Sequence, residues 1–185
     1  MTQADTTPPS DASGYRLTFG TLDEARARIG ERTEVCVADC TVNEAMIQYY
    51  CSSVEDANPS HWDRHFADEM WGALIAPPAM LQSWIVPFAW HPKGAKSVPV
   101  IAFQIPLPGL LPINIATDVE FFRSVRVGDV LHMTDRLISV SDEKSTRLGI
   151  GHYVTSVMEF RDQRSELLAR ATNVIYRYRL RGELP

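Results

Sequence analysis

The chain has no excess of positive charge. Eighteen Lys and Arg stand against 23 Asp and Glu, the formal net charge is −5, and no block of basic residues occurs. Nucleic-acid binding therefore has no electrostatic footing, although single basic residues can still serve a small anionic ligand. No apolar run reaches the length of a membrane span, so no membrane partner is expected. Cysteine is scarce: Cys36, Cys40 and Cys51 are odd in number and begin with a CxxxC spacing. That offers neither a disulfide framework nor a zinc site, and it suits reduced thiols. The opening MTQADTTPPSDASG has no basic start and no apolar core, so no signal peptide is expected in it. Residues 1–14 are expected to form a disordered lead-in, and the protein is expected to be cytoplasmic. Internal repeats, heptads and βαβ alternation are also missing.

What remains is enough for one domain. The 185 residues, 45% hydrophobic and 22% charged, can bury a good core but not two. Thr21, with Glu24 three residues on, predicts a capping box and a short helix that stops near Gly30. Asn43 predicts a second N-cap. Ala45, Met46, Tyr49 and Tyr50 then recur at helical spacing, and that helix should end near Val54. Pro77 and Pro78 suit the start of a third helix, from Ala79 to Ala89. Met80, Leu81, Trp84, Ile85 and Phe88 make it apolar almost all round, which predicts a buried helix that Pro87 kinks or ends.

Prolines at 92, 99, 106, 108 and 112 then interrupt an apolar stretch over about 91–113. This density of proline argues against regular helix or central strand. So apolar an insert is expected to cover a substrate pocket, a subunit interface, or both. From Asn114 onward four strand-like runs follow: IATDVEFF, DVLHMTDRLISVSDE, RLGIGHYVTSVMEFRDQ and ELLARATNVIYRYRL. Helices followed by a long antiparallel meander predict an α+β domain over residues 15–185, a single hotdog fold with its sheet wrapped around a central apolar helix.

The chemistry-bearing stretch is DANPSHWD, which places Asp56, Asn58, Pro59 and His61 within six residues of each other, just after the second predicted helix. Asp-x-Asn-Pro alone is a common turn. An acid and an imidazole at this spacing are also a ready general acid/base pair. His65 with Asp68 or Glu69 lacks the further ligands a metal needs, and no metal is expected. His91, His132 and His152 read as ordinary residues. Trp62, Trp71, Trp84 and Trp90 read as packing residues that could line an acyl pocket.

These residues resemble a family. DANPSHWD is similar to the D-x-N-P-x-H signature of the MaoC-like hydratases and dehydratases, which are hotdog proteins. GALIAPPAML resembles the segment that opens the central helix in the dehydratase N-terminal subgroup. DVEFFRSVRVGDVL resembles the family's strand, basic turn and V-x-V/P-G-D turn, and TRLGIGHYVTSVMEFRDQ resembles the long strand of heteromeric MaoC-like enoyl-CoA hydratases, including those that act on steroid side chains. The likeness runs from about Leu17 to Arg179.

It implies a hydro-lyase that adds water to a 2-enoyl thioester, or removes it from the 3-hydroxyacyl form. A bulky or long acyl-CoA is expected, with coenzyme A as part of the substrate and no separate cofactor. Asp56 and His61 take the catalytic roles, with Asn58 as support. A helix-start amide would hold the thioester oxygen. Pro77 and Pro78 have no N–H, which leaves Ala79 or Met80. Arg123, Arg126, Lys144 and Arg147 are the candidates for the coenzyme A phosphates. The implied partner is a second copy, or another hotdog subunit in a heteromer. Two other readings remain open: a non-catalytic, pocket-shaping subunit, and a hotdog thioesterase. The thioesterase is disfavoured because the predicted central helix holds no Asp or Glu.

Overall fold

The computed structural model describes residues 17–182 other than Ala89, Lys93 and Ala95. The expected lead-in over residues 1–14 lies outside them. Helix α1 (Leu22–Ala27) starts as its sequence predicts. Thr21 Oγ1 accepts from the Glu24 amide, the Glu24 carboxylate accepts from the Thr21 amide, and Gly30 sits at φ 94°. The reciprocal pair satisfies two amides that the first turn cannot. Thr21→Ala is expected to lower stability by about 1 kcal/mol, read as a shift in denaturation midpoint at unchanged slope.

Strand β1 (Cys36–Val37) is short, and no sequence pattern announces it. Helix α2 (Glu44–Val54) is capped by the Asn43 side chain, which accepts from the Met46 amide. Its boundaries agree with the prediction, but the face it buries does not. Ile47 and Cys51 are fully buried, whereas Ala45, Met46 and Tyr49 are exposed. Apolar residues lie on both sides of this helix, so periodicity alone does not choose between them. Helix α3 (Arg64–Trp71) follows, capped by Asp63.

The expected eleven-residue central helix is replaced by two 3₁₀ turns, Pro78–Met80 and Gln82–Trp84. The prolines account for the change. Pro77 and Pro78 donate nothing, and an α-helix running into Pro87 would drive its ring against the carbonyl of Ser83. The few residues left between them tighten into i→i−3 bonds: Met80 to Pro77 O, Leu81 to Pro78 O and Ile85 to Gln82 O. One face is buried (Met80, Leu81, Trp84, Ile85), while Val86, Phe88 and Trp90 are exposed, so the segment is not apolar-buried all round.

The sheet is antiparallel throughout, in the order β1-β3-β5-β6-β2, with β4 also paired to β5. Its strands are β2 (Leu111–Phe121), β3 (His132–Val140), β4 (Lys144–Ser145), β5 (Ile150–Arg161) and β6 (Leu167–Arg179). Burial alternates along β3 and β5, which is the signature of one covered face. That face is covered in two patches. At one end the 3₁₀ turns pack on Met133, Met158, Phe160, Leu168 and Ala171. At the other, Ile101, Ala102, Ile105 and Leu107 pack on Leu137, Val140, Val154 and Ile175, with Ala25 of α1 alongside.

The insert that forms this second patch holds more regular structure than its prolines predict. The insert contains one turn of helix, α4 (Ile101–Gln104), and its last residues, Pro112 included, belong to β2. Proline is tolerated there because β2 is an edge strand, paired on one side only. The insert seals this chain's own sheet face, and no separate pocket is needed to account for its apolar character. It lies close to β6: a Cβ on Gly109 would fall 2.5 Å from the Tyr178 amide nitrogen. The Arg177 guanidinium, fully buried, holds it down by donating to the carbonyls of Thr18, Ala102, Ile105, Leu107 and Gly109. Burial pulls the pKa of Arg177 down to about 10, still well above neutrality, so the group keeps its charge.

By contrast, β2 is open. Apart from a partly covered Thr117 it is exposed along its whole length, including Leu111, Ile113, Ile115, Val119 and Phe121. Among the described residues no helix is long and apolar enough to cross a membrane.

Candidate active site

The loop after α2 turns sharply because Glu55 caps the helix in the left-handed conformation (φ 57°). A non-glycine residue there costs on the order of 1 kcal/mol, and such strain concentrates where geometry is prescribed. The amides of Glu55 and Asp56 both reach back to the Cys51 carbonyl. Asp56 then folds over its own loop, with Oδ1 accepting from the Asn58 amide at 3.0 Å. Asn58 caps the 3₁₀ turn Pro59–His61, its Oδ1 accepting from the Ser60 amide at 3.0 Å. Asn58 therefore acts through the backbone. Its support of Asp56 comes from its amide and not from its side chain.

This turn carries His61 inward, to 2% exposure. Its Nδ1 lies 2.8 Å from the Ile75 carbonyl oxygen. A carbonyl can only accept, so Nδ1 carries a proton, and in the neutral ring the lone pair then lies on Nε2. That Nε2 faces Asp56 Oδ2 at 3.6 Å. Two acceptors so placed do not bond each other directly. A water lying to one side of this gap can donate one hydrogen to each.

Two tryptophans stiffen the loop. The Trp62 indole N–H donates to the Asp56 carbonyl at 2.7 Å, and that of Trp71 donates to Ser60 Oγ at 3.0 Å. Sequence reasoning treats both as packing residues and has no handle on the Ile75 carbonyl. A main-chain acceptor fourteen residues from His61 leaves no mark in composition or spacing. An open cleft of about 530 Å³ lies along the loop, lined by Cys51, Glu55, Asp56, Ala57, Pro59 and Trp62 among others.

The two oxyanion candidates are not equivalent. The Met80 amide already donates to Pro77 O within its 3₁₀ turn. The Ala79 amide has no backbone acceptor among the described residues. The four basic candidates do not gather into one phosphate site. Arg123 spends all five of its N–H groups on Asp129, Asp162, Glu166 and the Ser124 carbonyl, so it has none left for a ligand. Arg126 lies beside it, facing a smaller cleft, and its Nε is buried without a partner. Lys144 and Arg147 belong to the hairpin at the opposite end of β5, about 35 Å away at the rise of an extended strand. Among the described residues no group of three or more His, Cys, Asp or Glu is arranged to hold a metal ion. His65 pairs at the surface with Glu69, and His152 is buried against the Ser141 carbonyl.

Comparison with known proteins gives this geometry a context. The family described as FAS1-like, dehydratase domain region, matches residues 27–171. A probable enoyl-CoA hydratase alpha subunit of Thermomonospora curvata is 30% identical over 146 residues, which is 75% of this chain but 45% of the relative. The chain thus spans about half the length of that relative. Among solved structures, the ChsH1–ChsH2 complex of Mycobacterium tuberculosis superposes with a TM-score of 0.68 at 22% identity, covering 87% of this chain and 93% of the other. A MaoC-like dehydratase of Rhodospirillum rubrum gives 0.57 at 22% identity, covering 82% and 93%. At such identities these two likenesses speak to the hotdog fold, while the family match and the relative carry the membership. The chain belongs to the FAS1-like dehydratase domain family.

Proposed function

We propose that the chain is a hydro-lyase that adds water to a 2-enoyl thioester of coenzyme A, and runs in reverse as a 3-hydroxyacyl dehydratase. The observation that supports it most directly is the 3.6 Å gap between Asp56 Oδ2 and His61 Nε2, with the ring tautomer set so that both atoms accept. A water held by both hydrogens keeps its oxygen lone pairs turned toward the substrate. As that oxygen bonds Cβ, one water proton passes to the pair. The electron pair of the double bond moves to the thioester as an enolate. The pair then returns a proton to Cα, so that the elements of water are added and the pair ends as it began. The free Ala79 amide is the candidate to hold the enolate oxygen, and Arg126 is the candidate for a coenzyme A phosphate.

The seating of the insert removes one argument for a bulky acyl group. That reading now rests on the open cleft beside Trp62, which has room for a long or branched chain. The thioesterase alternative finds no carboxylate between Ala79 and Ala89. A partner is part of the proposal. The long, apolar, unpaired edge of β2 is suited to a second hotdog sheet, identical or not, and a protein that left it bare would risk aggregation.

The test is hydration of enoyl-CoA thioesters from crotonyl-CoA to long and steroid-derived chains, with the assembly mass measured on the same sample. Turnover of any of them by the pure chain supports the lyase. A chain that is inactive alone but active with a co-purifying hotdog subunit supports the pocket-shaping role. Release of free coenzyme A without hydration overturns the proposal.

A further inference from the structure

The carbonyl behind His61 is held in place by residues far from the cleft. Ile75 sits in an isolated antiparallel bridge with Arg126. The bridging hydrogen bonds are made by its neighbours: the Ala76 amide to Val125 O at 2.8 Å and the Val127 amide to Leu74 O at 2.9 Å. A residue at the centre of such a pair turns both its own backbone groups away from the partner strand. Those of Ile75 therefore turn toward the loop, its amide to Ser60 O at 3.3 Å and its carbonyl to His61 Nδ1. The orientation of that carbonyl thus depends on where the 123–129 turn lies.

That turn is clasped by one side chain. Arg123, 13% exposed, donates to Asp129 through both Nη atoms, to Asp162 at 2.9 Å and to Glu166 at 3.0 Å, and its remaining N–H closes on the Ser124 carbonyl. Asp129 in turn accepts from the Arg126 amide at 2.8 Å. The clasp ties the turn between β2 and β3 to the loop between β5 and β6. A lysine would offer one point charge where the guanidinium fork meets three carboxylates.

We propose that Arg123 is a positioning residue for the reaction. By clasping Asp129, Asp162 and Glu166 it sets the turn that aims the Ile75 carbonyl at His61, and so keeps the imidazole in its Nδ1–H tautomer with Nε2 free to take a proton. This role rests on the reading of Asp56 and His61 as the reacting pair. In water the Nε2–H tautomer of a neutral imidazole predominates, so the arrangement has to be imposed. If the carbonyl swings away, the ring reverts and presents an N–H to Asp56 where a lone pair is required.

The test reads the tautomer directly, by long-range nitrogen–proton NMR of His61 in the full chain, beside enoyl-CoA hydration. The wild type should show Nδ1–H. Arg123→Met should shift His61 toward Nε2–H and lower kcat roughly 10- to 100-fold with KM little changed, with Arg123→Lys recovering part of both. If Arg123→Met does not fold, Asp129→Asn weakens the grip while keeping an acceptor for the Arg126 amide, and a partial tautomer shift is expected there. Folded variants in which His61 stays Nδ1–H overturn the proposal, as does a wild type that is already Nε2–H. A chain that hydrates no thioester removes the proposed function, but the tautomer measurement still decides the role of Arg123.

Discussion

Asp56→Asn is expected to lower enoyl-CoA hydration by roughly 10²- to 10⁴-fold, the range that a general acid/base group contributes, while the fold stays intact. The substitution is nearly isosteric. The Asn58 amide keeps an oxygen to donate to, in the place of Oδ1 at 3.0 Å, and the loop is also held through the Asp56 main chain by Trp62. What changes is the atom facing His61. An amide nitrogen there presents an N–H where Oδ2 now accepts, 3.6 Å from a bare Nε2. It competes with the water for that lone pair and cannot receive a water hydrogen itself. His61→Gln should lose a similar factor. It is preferable to His61→Ala, which would leave the Ile75 carbonyl buried without a donor and so confound activity with stability. The check is the decay of enoyl-thioester absorbance with equal amounts of folded protein. If either variant turned over at the wild-type rate, the water would not be held as described.

Much of the local structure is written locally. Thr21 with Glu24, and Asn43, fix the starts of α1 and α2 through contacts within three residues, and composition reads them directly. The long strands announce themselves by β-branched and aromatic alternation, and Asp56, Asn58 and His61 by their spacing. What escapes is decided at long range. The choice of Ile47 and Cys51 over Met46 and Tyr49 as the buried face of α2 depends on what that helix meets. The collapse of the expected central helix into 3₁₀ turns comes from prolines whose combined effect exceeds the pull of an apolar sequence. Arg123 reads from sequence as a turn cation free for phosphate. Its partners Asp162 and Glu166 lie 39 and 43 residues away, and only the pairing of β6 with both β2 and β5 brings them within reach. The oxyanion candidates divide in the same way, since only the fold tells that the Met80 amide is already used.

Arg177 is the extreme of this class, and its replacement should have the largest effect on stability. Arg177→Met is expected to cost about 2–4 kcal/mol, a large part of the 5–15 kcal/mol that holds a typical domain together. Two effects oppose each other. A guanidinium with no exposure, and with no carboxylate paired to it among the described residues, bears a desolvation penalty, which is why its pKa falls to about 10, and methionine relieves that penalty. Methionine also leaves the carbonyls of Ala102, Ile105, Leu107 and Gly109 facing an apolar chain with no donor. Each buried acceptor left empty costs about 1–3 kcal/mol, so several of them outweigh the relief of a single charge. The insert would answer by lifting off, exposing Ile101, Ile105 and Leu107 and the Leu137, Val154 and Ile175 surface beneath them. Loss of protection should therefore begin in the insert. Amide hydrogen exchange of residues 101–107 should accelerate well below the global unfolding midpoint, while β5 and the Asp56 loop stay protected. A uniform loss of protection would make Arg177 a general core residue, and no loss at all would mean that apolar packing alone seats the insert. Gly109→Ala tests the close approach of the insert to β6. It leaves the guanidinium in place but forces the insert off β6, where a Cβ would meet the Tyr178 amide at 2.5 Å. Gly109→Ala should reproduce the local exchange signature of Arg177→Met, because the insert is carried away from both the guanidinium and the sheet face.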